Sequence, residues 1–175
     1  MRINNDNVTL RSMNKTTEDY QFVYHWCQNK EVYEWFEQRV LSYDEVVEKY
    51  RNKIDDTKQE ILIIEYKNKP IGLLQFYKFE NDINLSIEGN IYEYDLFIGD
   101  DEYLSKSIGV EVLNLIDNYL FNEKGASHII LRPFKRNIRA IKCYLKCGYR
   151  ELSEYIGKNT LGEDEEYVVL IKENI

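Results

Sequence analysis

Asn137-Ile138-Arg139-Ala140-Ile141-Lys142-Cys143-Tyr144-Leu145-Lys146-Cys147-Gly148-Tyr149 is the stretch from which the fold can be read. The Asn137 side chain suits a helix N-cap and Gly148 suits a stop, so the segment reads as a helix over Asn137 to Cys147. Asn137, Ala140, Ile141 and Tyr144 stand at i, i+3, i+4 and i+7, which puts them on one face. A core-facing stripe with a capping asparagine explains Ile141 well. It explains less well a small alanine beside a phenol, a combination that can flank a thin ligand chain.

One element upstream, Ser127 to Leu131 reads as a short buried strand, and Gly125 as the stop of an earlier helix. That helix, Ser107 to Phe121, is amphipathic: Ile108, Val112, Leu115, Ile116 and Tyr119 share a face. It opens on the turn Leu104-Ser105-Lys106-Ser107-Ile108-Gly109. A helix N-terminus offers unpaired N–H groups and positive dipole, which suits a pyrophosphate. Ser105, Ser107 and Gly109 are small, and Lys106 adds charge. An ordinary serine N-cap is the plain alternative. Before the turn, Asn90 to Ile98 reads as a strand that puts Glu93 and Asp95 on one face. Two carboxylates on a central strand need a partner or a water-filled cleft; otherwise they mark an exposed face.

The remaining elements fall into line. Val8 to Met13 alternates like a strand, and Thr16 or Thr17 caps a helix through Phe22, Val23 and Trp26. Ser42 caps a second helix carrying Val46, Val47 and Tyr50, with Glu45 completing a capping box. Glu60 to Tyr66 and Ile71 to Phe79 form a hairpin around Asn68-Lys69-Pro70. Glu80 to Gly89 is a polar loop, and Tyr149 to Ile156 and Glu166 to Ile171 close the chain as strands. Strand, two helices, three strands, helix, strand, helix and two strands make an α/β arrangement with a mixed sheet, one domain over residues 1–175.

Composition limits the chemistry. Acidic residues outnumber basic ones, 31 to 23, for a net charge of −8. Nucleic acid is thereby a poor partner, whereas a cationic substrate is attracted. No apolar run reaches the ~18 residues of a membrane span, and the polar start lacks a signal segment, so a cytoplasmic protein with no membrane partner is expected. Cys27, Cys143 and Cys147 fit no disulfide framework, and without a matching Cys/His pair no metal is expected. The 15 tyrosines suit a polar-aromatic cleft or a compositional bias.

In this order the pieces resemble the GCN5-related N-acetyltransferase (GNAT) superfamily. Its cofactor turn, Q/R-x-x-G-x-G/A, is similar to Leu104-x-x-Ser107-x-Gly109, and its later N-x-x-A-x-x-x-Y and G-F/Y pattern is met by Asn137, Ala140, Tyr144, Gly148 and Tyr149. Within it, Pro70-Ile71-Gly72-x-x-Gln75, Asp95-x-Phe97-Ile98-Gly99 and Asn137-x-Arg139-Ala140-Ile141-x-x-Tyr144 look most like aminoglycoside 6′-N-acetyltransferases. Five residues depart: Leu104 for Gln/Arg, Ser107 for the first Gly, Arg132 in Arg132-Pro133 for Asp-Pro, and Glu37-Gln38 for Gly-Gly.

The resemblance implies a central, mostly antiparallel sheet flanked by helices and a direct acetyl transfer from acetyl-CoA to a primary amine. It implies Asp95 as proton acceptor, with Glu93 as runner-up, and Tyr144 beside the leaving thiolate. Leu96, Phe97 and Ile98, the turn from Leu104 through Gly109, Asn137 and Ala140 would bind the cofactor. Trp26, Glu34, Trp35, Gln75 and Glu93 would contact a small cationic amine, first the 6′-amine of an aminoglycoside. A protein N-terminus, a polyamine, or a non-catalytic acyl-CoA-binding module are the alternatives, in a monomer or homodimer.

Overall fold

Alternating apolar residues lay down an eight-stranded sheet. The structure, a computed structural model, describes residues 1–104 and 106–174. The strands are β1 (Arg2–Asn4), β2 (Val8–Ser12), β3 (Gln59–Tyr66), β4 (Lys69–Lys78), β5 (Ile91–Ile98), β6 (His128–Leu131), β7 (Arg150–Lys158) and β8 (Asp164–Glu173). Their order across the sheet is β1-β2-β3-β4-β5-β6-β8-β7. All neighbours are antiparallel except β5 and β6, which run parallel.

Helices cover both faces. On one, α4 (Ile108–Asn122) presses Ile108, Val112, Leu113, Ile116 and Leu120 against Leu62, Ile64, Leu74 and Ile129, and Ile141 of α5 (Ile138–Lys146) joins them. On the other, α1 (Thr17–Cys27) and α3 (Tyr43–Asp55) pack Val23, Trp26, Val46 and Tyr50 on Ile61, Ile63, Leu73 and Phe97. Leu62 and Ile64 thus face α4 while Ile61 and Ile63 face α3, the period-two split of a strand buried on both faces. Each such side chain, fully buried, is worth about 1.5–3 kcal/mol.

The structure differs from the sequence reading at identifiable places. β1 pairs with β2, and the single turn α2 (Lys30–Tyr33) is capped by Asn29; both are too short to show a period. The hairpin turns at Lys67-Asn68, both in the left-handed region, so Lys69 and Pro70 already belong to β4. The polar loop after β4 is not wholly solvated: Ile83, Leu85 and Ile87 pack on a satellite core of Ile91, Ile130, Val169 and Ile171. The Ser42–Glu45 capping box is present as read.

A buried polar knot ties both halves of the sheet to α4. Asp117 of α4 accepts from Tyr94 (2.9 Å) and Tyr149 (2.7 Å) on one oxygen and from Lys172 (2.7 Å) on the other. Tyr149, the last residue of the deciding stretch, is therefore an anchor between α5 and β7. An unpartnered buried charge is expensive, whereas a satisfied one is neutral to stabilising. Asp117→Ala strands two buried hydroxyls and an ammonium, and is expected to cost about 3–5 kcal/mol in urea unfolding. A loss below about 1 kcal/mol would show that water satisfies these groups.

Candidate active site

The sheet forks between β5 and β6. β5 pairs with β4 from Tyr92 to Ile98, but with β6 only at Ile91, Tyr92 and Glu93. From residue 94 onward the β5 backbone has a strand on one side only. Its unladdered N–H and C=O groups can receive an extended ligand in place of the missing strand. Just past the end of β6, Arg132 reaches back to Glu93: its Nε lies 2.7 Å from one carboxylate oxygen and its Nη2 2.8 Å from the other. Arg132 also holds Asp82 at 2.9 Å. The pair closes the last rung before the fork.

A cleft of about 780 Å³ opens from the fork. Leu96, Phe97 and Ile98 lie along it, between Ser107 and Gly109 at the start of α4 and Asn137, Ala140, Cys143 and Tyr144 of the α5 segment. The first N–H groups of α4 have no intrahelical partner. Ser107 sits before them at φ 62°, ψ 2°, and its side chain makes no capping bond. The ordinary serine cap is thereby corrected: the chain needs a left-handed residue here, which costs an L-residue roughly 1–2 kcal/mol. Gln38, the other departure at a usual glycine, is also left-handed at φ 55°. Its side chain donates to Phe36 O at 2.8 Å and accepts from the Thr160 N–H at 3.1 Å, fastening the β7–β8 turn over the cleft mouth. Gly109 faces only Cys143 Sγ, 3.5 Å from where a Cβ would stand, so alanine would fit.

At the other end, Asp95 and Gln75 oppose each other in the β4–β5 register. Asp95 Oδ2 accepts from Gln75 Nε2 at 3.0 Å and from the Tyr77 hydroxyl at 2.9 Å. Trp35, Phe36, Phe134 and Tyr167 add aromatic walls. Tyr144 stands on the opposite flank; burial raises its phenol well above its ordinary value, so it stays protonated at neutral pH. Among the described residues no protein group hydrogen-bonds its hydroxyl. A carboxylate, an aromatic mouth, an open backbone edge and a protonated phenol thus share one cleft.

Several expected residues lie elsewhere. Trp26 is buried, stacked on Phe22 and edge-on to Phe97, and it fills the space over Gly99, where a Cβ would meet its ring at 2.1 Å. It is a packing residue rather than an acceptor contact. Gly72 of the same resemblance lets β4 approach the Phe97 carbonyl, 2.1 Å from where its Cβ would stand. Glu34 does not line the cleft and pairs with Arg136 at 3.3 Å. Glu93 is buried, does not line this cleft and has both oxygens on Arg132; burial pushes its carboxyl up to about 7 against the pull of the guanidinium. Lys106 points over Tyr103 and Ile108 into the core, neither side chain lining the cleft. Ser105 lies outside the described residues. Asn137 caps α5 through Ala140 N–H at 3.3 Å while also lining the cleft.

Lys49 and Lys53 were not among the expected residues, yet both line the cleft together with Gln75 and Asp95. The signal was present: 46, 49, 50 and 53 stand at i, i+3, i+4 and i+7, so the lysines share the inward face with Val46 and Tyr50. Burial pulls the Lys49 ammonium down to about 8 and lowers Lys53 as well.

Residues 15–156 match the family model for an acetyltransferase (GNAT) domain. The chain is 28% identical over 156 residues to aminoglycoside N(6′)-acetyltransferase type 1 of Klebsiella pneumoniae, covering 83% of this chain and 75% of the relative. It is also 28% identical over 149 residues to spermidine N(1)-acetyltransferase of Vibrio cholerae, covering 84% and 81%. A crystal structure of an aminoglycoside acetyltransferase in complex with coenzyme A superposes with a TM-score of 0.80 at 22% identity, over 95% of each chain. That likeness carries the fold, including the mixed sheet and its flanking helices.

Ser107→Gly removes the left-handed penalty at the cost of a more flexible unfolded chain, and is expected to raise stability by about 0.5–1 kcal/mol. Thermal unfolding checks this; a fall in Tm would mean that the serine side chain makes a compensating bond. Coenzyme A titration of the same variant asks a separate question: weaker binding would identify the hydroxyl as a ligand.

Proposed function

The chain belongs to the acetyltransferase (GNAT) family and is an acetyl-CoA-dependent N-acetyltransferase, and we propose that it acetylates a primary amine by direct attack within a ternary complex. The observation that carries this reading is that Asp95 and Tyr144 face one cleft across the open edge of β5. Neighbouring relatives act on amines by name, an aminoglycoside and spermidine. The 6′-amine of an aminoglycoside is the acceptor this similarity brings forward first, and a polyamine the second.

In this reading Asp95 holds the incoming ammonium and takes its proton, directly or through water. Gln75 and the Tyr77 hydroxyl fix the carboxylate in place by donating to its Oδ2. The freed nitrogen attacks the thioester carbonyl, the carbon–sulfur bond breaks and the sulfur leaves as thiolate, while the second proton that the nitrogen sheds on becoming an amide passes to water or to the departing thiolate. N–H groups along Leu96 to Ile98 seat the pantetheine arm and polarise the carbonyl. Tyr144 donates its phenolic hydrogen bond to the departing sulfur, and its raised pKa keeps that hydrogen in place. Ser107 to Gly109 present the α4 N-terminus to the pyrophosphate. Much of the rate then comes from holding two substrates in register.

Asp95→Asn keeps the size of the side chain but removes the proton acceptor. Turnover is expected to fall more than tenfold, with coenzyme A affinity by calorimetry within about twofold of the parent. Unchanged turnover would remove Asp95 from this role. Tyr144→Phe is expected to lose less, since a thiolate can leave without an acid at high pH.

A further inference from the structure

The acceptor end of the cleft contains a cation that the amine chemistry does not use. Lys53 Nζ donates to the neutral Gln75 Oε1 at 2.5 Å. Among the described residues no carboxylate oxygen lies within 4 Å of it, whereas its neighbour Lys49 is paired with Glu37. The one direct hydrogen-bond partner of Lys53 among the described residues is an amide oxygen, and burial lowers its pKa despite the opposing pull of the more distant Asp95 and Asp56 carboxylates. Gln75 links it to the site: one end of the amide accepts from Lys53, and the other donates to Asp95. A cation and an anion are thus held one side-chain amide apart, facing the same space.

We propose that the acceptor is an amine carrying a carboxylate a few bonds away, with the amine at Asp95 and the carboxylate on Lys53. The inference rests on amine acetylation, but sets an amino-carboxylate in place of the polycationic acceptors that similarity alone brings forward. A polycation would bring further positive charge against Lys53 in a cleft of reduced dielectric, where like charges repel more strongly than in water, while Glu37 already neutralises Lys49. Arg132 adds no available cation, because Glu93 and Asp82 occupy it.

The test compares acceptors of equal length: ω-aminoalkanoates of three to six carbons, the matching alkylamines and the matching α,ω-diamines, with kanamycin alongside. The best aminoalkanoate is expected to exceed its alkylamine at least tenfold in kcat/KM and its diamine by more. In Lys53→Gln the aminoalkanoate-to-alkylamine ratio should collapse toward one, chiefly through KM, and Lys53→Arg should restore most of it. A wild-type preference for diamines or kanamycin, or a ratio unmoved in Lys53→Gln, would overturn the proposal. If no amine is acetylated, the amine-transfer reading fails on its own, and calorimetry of the coenzyme A-bound protein still decides the subsite. There, 6-acetamidohexanoate should bind at least tenfold more tightly than N-hexylacetamide, an advantage lost in Lys53→Gln; equal binding overturns it.

Discussion

The last rung between β5 and β6 sets the shape of everything functional. Glu93 is both the final paired residue of β5 on that side and the carboxylate gripped by Arg132. Up to that rung the sheet is continuous, and past it the two halves part. The open edge of β5, the approach of α4 to it and the position of Asp95 two residues further along all follow from where the zipper stops. A buried ion pair is seldom a large net source of stability, but removing one partner is costly. The pair therefore holds the fork in register more than it strengthens the fold. The Asp117 knot does similar work behind the cleft, fixing Tyr94 beside Asp95 and Tyr149 behind Tyr144.

Much of this was legible in the chain. The α5 stretch carries its own cap, its own stop and a face at helical spacing, so local rules suffice for Asn137, Ala140 and Tyr144. Strand alternation, a period of two, put Asp95 on one face with Glu93, and only the family resemblance chose between them. Contacts between distant segments were not legible. Nothing local to Glu93 announces a guanidinium 39 residues away, and a tryptophan reads alike whether it meets a ligand or fills the space over Gly99. At the Ser107 turn it is the plain alternative that fails. Serine is a favoured N-cap, yet the backbone there is left-handed, in keeping with the glycine usual at that position in the resemblance. Gln38 repeats the pattern at a second usual glycine, with its side chain recruited to hold Thr160. Lys49 and Lys53 could have been found by asking which polar residues fall on the apolar face of α3.

Net charge and local charge diverge in this protein. The chain as a whole carries −8, which draws cations toward it. The acceptor end mixes Asp95 and Glu37 with Lys49 and Lys53. Long-range attraction governs encounter, while the groups within a few ångströms govern what remains bound. In the proposed acceptor subsite, Lys53 and Asp95 therefore outweigh the overall field.

The central claim is direct acetyl transfer to an amine across the fork. Initial rates measured over a grid of acetyl-CoA and amine concentrations test it most directly, with released coenzyme A and acetylated amine quantified together. The account predicts intersecting double-reciprocal lines and one acetylated amine for each coenzyme A released. Parallel lines with an acetylated protein intermediate, or coenzyme A release without acetylated amine, would contradict it.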